Sequence, residues 1–406
     1  MIRKIIRLVQ NNSSIFILAT ATVAFFLLNV TLKKIIDAAD YGRVGLLLTY
    51  IALLSSFGLF GSEQLLIRQS EVSKKKKVIV TSVTIFLIIT CMILQFIFPV
   101  FYHYKYEFNS MLLGVILSVS VTLNMLTYNI FRISGRYNLA QLNNGSWKII
   151  TLFIVIIFMS YRNLRSYNYI ELIIVVIQSV LSTLFLLLSI SKLSIRKITI
   201  TKKQLSKEGG LLFFFFISLL TASFISQGDR LLVSEVTEDL AYIGEYLFLG
   251  TVIIFPYNFV QSYLGFKYTV DFKETTKPKE LVILKLKEVS LICILYTPLV
   301  LSMLFVLIYL KIINLNFFHN HVFTVFMMFV IGIVRMYYSI FSSMMGTRCS
   351  LKTIRSSNIY FTISIMIGIS IFFFHPSINY LLVTFTILWI TRNIIWYYFI
   401  KKDLYE

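Results

Sequence analysis

The chain of 406 residues is 58% hydrophobic and only 14% charged, with a formal net charge of +20 and a mean hydropathy of +0.82. A soluble domain carries about 25% charged residues, so a soluble fold is excluded, and no stretch is long and polar enough to fold as a separate soluble domain. The basic excess sits in short loops between apolar runs, which is how a membrane protein distributes charge and not how a nucleic-acid-binding surface does.

A helix needs roughly 20 apolar residues to cross a bilayer core about 30 Å thick, and its backbone must satisfy its own hydrogen bonds there. Before the first apolar run, Met1-Ile2-Arg3-Lys4-Ile5-Ile6-Arg7 lacks a short apolar region followed by a small-residue cleavage site, so an uncleaved first helix is expected. In chain order the runs predict spans at 13–32, 44–62, 78–101, 110–131, 143–160, 170–191, 209–227, 244–266, 289–310, 322–345, 356–374 and 379–400. Lys148 intrudes near the start of the fifth, the weakest of the twelve. Pro256 and Pro298 lie inside the eighth and ninth, where a lost backbone bond allows a kink.

The connections carry an orientation signal. Of the 38 Lys and Arg residues, 28 lie in the two termini and the even-numbered loops, with Lys148 at the start of the fifth span counted in the loop before it, and 8 in the odd-numbered loops; Arg335 and Arg392 remain, both deeper inside spans. That bias places both termini in the cytoplasm. All four histidines, His103, His319, His321 and His375, fall in the outward loops; His319-x-His321 is by itself a weak metal signal. Cys91, Cys293 and Cys349 are scattered and odd in number, giving no disulfide framework and no CxxC site.

The basic segment 192–208 divides the spans six and six. The expected organisation is a lobe at 1–191, a basic cytoplasmic linker at 192–208 and a lobe at 209–406. An internal echo accompanies it: Asp40-Tyr41-Gly42-Arg43-Val44-Gly45 follows the first span and Tyr242-Ile243-Gly244-Glu245-Tyr246 the seventh. Both halves would begin on the same side, as parallel repeats about an axis normal to the membrane. The fold class is thus an all-α integral membrane protein of about twelve transmembrane helices in two six-helix lobes.

Several segments resemble a known family. Asp37-Ala38-Ala39-Asp40-Tyr41-Gly42-Arg43-Val44-Gly45, Phe57-Gly58-Leu59-Phe60-Gly61-Ser62-Glu63-Gln64 leading to Arg68, Phe131-Arg132-Ile133-Ser134-Gly135-Arg136-Tyr137 and Asp229-Arg230-Leu231-Leu232-Val233 are similar to segments of the Wzx-type O-antigen flippases, within the multidrug/oligosaccharidyl-lipid/polysaccharide exporter superfamily. The resemblance implies a bacterial inner-membrane protein that moves an undecaprenyl-pyrophosphate-linked oligosaccharide to the periplasmic leaflet by alternating access. It also implies contact with membrane lipids and with other polysaccharide assembly proteins, and no cofactor.

Charges and amides inside spans mark the candidate site. Arg335 lies roughly 15–20 Å from either surface at 1.5 Å per residue, too deep to snorkel easily. Gly332, Ser339, Ser342 and Ser343 share its helix face. Such a face turns toward a cavity or another helix. Its guanidinium suits pyrophosphate, or equally the carbonyls of a facing helix. Arg392, about two turns from the inner end of the last span, is expected to snorkel. Asp229 and Arg230 are candidates for gating or ion coupling, or are interfacial charges beside Glu235, Glu238 and Asp239. Glu63 and Arg68, at the inner mouth of the second span, are gate candidates or solvated interface charges. Asn124 with Tyr128, and Asn258 with Thr251 and Gln261, form polar rows that could present amides to sugars or bond helix to helix.

Enzyme signatures are missing: no G-x-x-x-x-G-K-[ST] loop, no H-E-x-x-H, no G-x-S-x-G. The expectation is a transporter and not an enzyme, with no metal site. A drug or small-solute exporter of the same superfamily, or a membrane-embedded polysaccharide polymerase or glycosyltransferase, are the alternatives. The second usually needs a long outward loop, and the longest here, about 228–243, is too short to fold alone.

Overall fold

The computed structural model describes residues 13–73, 77–106, 110–158, 166–196 and 201–405. Arg3, Lys4, Arg7, Lys74 to Lys76, Arg162, Arg165 and Lys197, all part of the charge count, lie outside the described residues. Among the described residues, twelve helical segments are long and apolar enough to cross a membrane. This is an all-α integral membrane protein.

The first six spans are built from α1 (Ser13–Ile35), α2 (Ala38–Phe57) with α3 (Ser62–Gln69), α4 (Ser82–Leu94) with α5 (Ile97–Tyr106), α6 (Met111–Ile133), α7 (Tyr137–Phe158) and α8 (Tyr167–Ile190). The rest are α9 (Lys202–Val236), α10 (Leu240–Glu274), α11 (Pro278–Tyr309), α13 (Val322–Arg348), α14 (Leu351–Phe374) and α15 (Ile378–Tyr405), with the short α12 (Leu315–Asn320) between α11 and α13. Three short strands, β1 (Glu71–Val72), β2 (Val78–Thr81) and β3 (Leu193–Arg196), were not expected. The third apolar run therefore opens as a strand, and Thr81 caps the helix that follows. Most of the expected outward connection at 228–243 is helix, because α9 continues to Val236 and α10 starts at Leu240.

By backbone contacts the chain divides into two compact units, 1–223 and 224–406, with the division inside α9. In the first unit α1 crosses α7 closely: a Cβ on Gly145 would sit 2.6 Å from that of Ala21. The sheet pairs β1 with β2 antiparallel and β2 with β3 in parallel. It joins the loop after the second span to the loop after the sixth, so both loops leave the bundle on one face, as the alternation of basic loops requires. In the second unit the closest seam is α10 on α13, where Gly332 meets the ring of Tyr257; α13 also packs on α15, and α15 on α14. Outward faces are apolar, with Phe153, Ile156 and Ile157 on α7 and Leu291, Ile294 and Leu295 on α11 exposed.

Three of the four segments carrying the family resemblance turn out to be helix ends, while Asp229–Val233 lies within α9. Asp37 caps α2 by accepting from the Asp40 amide at 2.7 Å. Asp40 accepts from the Tyr167 amide at the start of α8, at 3.0 Å. At the same distance before the matching Gly244, Asp239 caps α10 by accepting from the amides of Ala241 and Tyr242. A side-chain oxygen here satisfies N–H groups that the helix itself leaves orphaned. Gly135 has φ +75°; its amide bonds the Arg132 carbonyl and the Arg136 amide bonds the Phe131 carbonyl. That pair of bonds is a Schellman end to α6.

Candidate functional site

Two polar centres lie within the helices, one in each unit. The first is a cavity of about 180 Å³ among α2, α6, α7 and α8. Asn124 and Gln178 meet there near the middle of their helices, with Asn124 Nδ2 donating to Gln178 Oε1 at 2.7 Å. Asn143 Nδ2 donates to the Asn124 carbonyl at 2.7 Å and to Thr127 Oγ1 at 2.8 Å. Both hydrogens of Asn143 Nδ2 and one of Asn124 Nδ2 are thereby used, while Oδ1 of Asn124 and Oδ1 of Asn143 are buried with no hydrogen-bond partner. Trp147 and Tyr128 also line the cavity, and no charged side chain does. Of these residues, sequence reasoning singled out Asn124 and its row-mate Tyr128. The adjacent Asn143-Asn144 inside an apolar run was a visible signal, but the register that turns it toward Asn124 is not a local property.

The second centre surrounds Arg335, which is 3% exposed. Its Nη1 donates to Asn258 Oδ1 at 3.1 Å, its Nη2 donates to the Ser226 carbonyl at 2.7 Å, and its guanidinium lies 4.7 Å from the centre of the Trp389 ring. Asn258 is half-buried. The structure shows the carbonyl contact that was one of the two readings of this residue. The small-residue stripe faces α10: Gly332 packs on Tyr257, and Ser343 donates to the Gly265 carbonyl at 2.8 Å. Ser339 and Ser342 donate within their own helix, to the carbonyls of Met336 and Ser339.

Arg392 does not snorkel. It is 2% exposed, donates to the Tyr338 hydroxyl at 2.9 Å and sits 4.6–4.9 Å from the rings of Tyr338, Phe361 and Trp396. Packing of α13, α14 and α15 closes a cage of π faces over it, which a hydropathy plot cannot anticipate. Tyr338 also packs edge-on against Trp389, so aromatic rings link the two guanidiniums. Among the described residues neither Arg335 nor Arg392 makes an ion pair, and the Nε of each is buried without a partner.

Asp229 is 6% exposed and accepts from the Tyr246 hydroxyl at 3.1 Å; its charge acts on Arg335. Asp229 is therefore packed among helices and not solvated, because α9 continues unbroken through it to Val236. Arg230 is half-buried and lies over the Cα of Gly250, where a Cβ would meet Nη2 at 3.6 Å.

Glu63 is likewise not a solvated interface charge. It is 2% exposed and neither carboxylate oxygen has a hydrogen-bond partner, although the backbone amides of Gly61 and of Glu63 itself lie beside it. The helix breaks between α2 and α3 at Phe60 (φ 49°) and Gly61 (φ 81°), and Gly61 packs against Phe215 and Phe216. That break folds Glu63 inward. Arg68, five residues on, stays exposed with its guanidinium 4.9 Å from the Phe215 ring.

A network missed by sequence reasoning joins α10 to α11. Lys285, 6% exposed, lies 2.7 Å from Asp271 and 2.9 Å from Glu288, and Lys267 lies 2.8 Å from Glu288. Arg348 donates to the carbonyls of Phe272 and Lys273 at the end of α10. Lys267, Lys285 and Arg348 entered the sequence reading only in the count of basic loop residues, and Asp271 and Glu288 did not enter it. Among the described residues no group of three or more His, Cys, Asp or Glu could hold a metal ion.

Comparison of the chain with protein-family models, with curated protein sequences and with solved structures gives no match.

Proposed function

We propose that this protein is a flippase of the bacterial inner membrane, carrying an undecaprenyl-pyrophosphate-linked oligosaccharide from the cytoplasmic to the periplasmic leaflet by alternating access, with both termini in the cytoplasm. The observation that carries the reading is the pair of guanidiniums, Arg335 and Arg392, buried within one unit and, among the described residues, lacking a carboxylate ion pair. Asp229 acts on Arg335 without bonding it, and no described carboxylate acts on Arg392; a buried cation without a paired counter-ion costs several kcal/mol. An anionic lipid head brought to that unit offsets the cost, and Arg matches phosphate with a planar fork of donors. Buried charge of this sign disfavours cationic drugs as the cargo. The resemblance of the Asp37–Gly45, Phe57–Arg68, Phe131–Tyr137 and Asp229–Val233 segments to Wzx-type flippases points the same way.

The test is deletion of the gene followed by labelling of lipid-linked glycan in inside-out and right-side-out vesicles. The glycan should accumulate on the cytoplasmic leaflet. Normal outward display without the protein ends the reading.

A further inference from the structure

Lys148 is a cation that neither polar centre uses. The apolar run placed it near the start of the fifth span, but α7 begins at Tyr137, so Lys148 falls at mid-helix, roughly 15 Å from either end at 1.5 Å per residue. Its stem is too short to carry the ammonium to a surface from there. The helices packed on α7 offer little to neutralise it: α1 and α6 contain no acidic residue, and α8 has only Glu171, near its start and beside Tyr167. Lys148 Nζ lies 5.4 Å from the centre of the Phe25 ring and 5.8 Å from that of Trp147. Those ring faces offset part of the cost of a charge at this depth. They do not accept its three N–H donors as a carboxylate or carbonyl would, and among the described residues the ammonium makes no hydrogen bond or ion pair.

Helix geometry says what faces it. The lipid side of α7 is its exposed apolar stripe, which includes Phe153 and Ile157. Asn144 lies nine residues before Phe153, and Lys148 nine before Ile157. Nine residues make two and a half turns, so both side chains point away from the lipid. Gly145 turns to Ala21 of α1 on one flank, and Asn143 turns to the cavity on the other. Asn144 is nonetheless exposed and Lys148 half-buried. The side of α7 away from lipid is therefore open within this unit, and Lys148 Nζ is not sealed off as the Nε atoms of Arg335 and Arg392 are. A lysine at that depth on an uncovered face has water beside it.

We infer that Lys148 and Asn144 form an anion site at mid-membrane for a phosphate or pyrophosphate group. The two side chains are one turn apart, with about 6 Å between Cβ atoms. An ammonium and an amide at that spacing reach separate oxygens of one phosphate or pyrophosphate, and Lys binds phosphate as a point charge. A halide offers a single centre, and a small carboxylate spans less. The inference rests on the flippase reading only for the origin of the group, the head of a lipid-linked substrate; the binding is testable without transport.

The experiment treats the purified full-length protein in micelles with a water-soluble amine-acetylating ester and reads the modification of Lys148 by mass spectrometry. Farnesyl pyrophosphate and inorganic pyrophosphate are the probes; farnesol, sodium chloride and sodium acetate are the controls. Lys148 should be acetylated in the folded protein, and a pyrophosphate probe should slow this severalfold and saturably. Slowing by both probes alike assigns the site to the phosphate group itself; slowing by farnesyl pyrophosphate alone assigns it to a lipid head. Equilibrium dialysis of the effective probe should show binding weakened about tenfold or more in Lys148→Met, the value of one charge-assisted hydrogen bond. Asn144 is exposed, so Asn144→Ala should fold normally and weaken binding severalfold. No acetylation of Lys148, no protection by either pyrophosphate, equal protection by farnesol, chloride or acetate, or binding unchanged in well-folded Lys148→Met or Asn144→Ala each overturns the site. Protection is read on the native chain, so it decides the matter even where Lys148→Met does not fold. Pyrophosphate binding that persists while vesicles show no leaflet transfer refutes the flippase reading alone. Leaflet transfer with Lys148 unprotected refutes the anion site alone.

Discussion

Arg335 gives the sharpest quantitative test of how the second unit is held together. It makes two charge-assisted hydrogen bonds, to Asn258 and to the Ser226 carbonyl, each worth about 1.5–3 kcal/mol. The Trp389 face at 4.7 Å adds up to about 2 kcal/mol when desolvated. Against these stands a burial penalty of several kcal/mol for the ion. Arg335→Met removes both sides of that balance and should shift stability by no more than about 2 kcal/mol. Asn258→Leu is different, because it leaves the charge buried and one arm of its fork unpaired. It should cost about 2–3 kcal/mol in the native background and nearly nothing beside Met at position 335. The two substitutions should therefore couple by at least about 1.5 kcal/mol. The assay is equilibrium unfolding of the purified protein in mixed micelles, for the two single variants, the double variant and the native chain. A coupling below about 0.5 kcal/mol would refute the claim that Asn258 anchors the guanidinium.

Other substitutions follow from the same geometry. Gly332→Ala places a Cβ 2.5 Å from the Tyr257 ring, whose hydroxyl is tied to Thr297, so unfolding should show a loss of about 1–3 kcal/mol. Gly368→Ala meets the far end of the Leu388 side chain at 3.3 Å and Thr384 Cγ2 at 3.4 Å, much looser contacts, and should cost less than about 1 kcal/mol. Gly61→Ala adds left-handed strain of about 1–2 kcal/mol to contacts of 2.8 Å with Phe215 and Phe216, and should sharply reduce folded protein recovered from membranes; Gly135→Asn, with open space around its Cβ position, should be recovered at native levels. Glu63→Gln replaces an unpartnered buried carboxylate by a neutral group of equal size and should be at least as stable as the native chain; a marked loss of stability would mean that the carboxylate has a partner. Burial, and then Asp403 beside it, pushes the Cys349 thiol up to about 12. Maleimide labelling at pH 8 should therefore be slow there and faster in Asp403→Asn, since a lower thiol pKa raises the thiolate fraction; equal rates would remove Asp403 from the account.

The membrane class and the twelve crossings were legible in the sequence, because span length and apolar composition are local properties. The alternation of basic loops foretold that the loops after the second and sixth spans share a face, and the pairing of β2 with β3 agrees. What each polar side chain touches was not legible. Asn124 meets Gln178 across 54 positions, and Arg335 meets Ser226 across 109. Membrane helices are apolar on nearly every side, so hydropathy leaves their rotation undetermined, and only packing against neighbours selects which face turns inward. The same packing closed three rings around Arg392, which the sequence reading sent to the surface, and the left-handed turn at Phe60 and Gly61 drew Glu63 out of it. Local chemistry thus determined that the chain crosses the bilayer, and tertiary contact decided which of its few polar groups meet inside it.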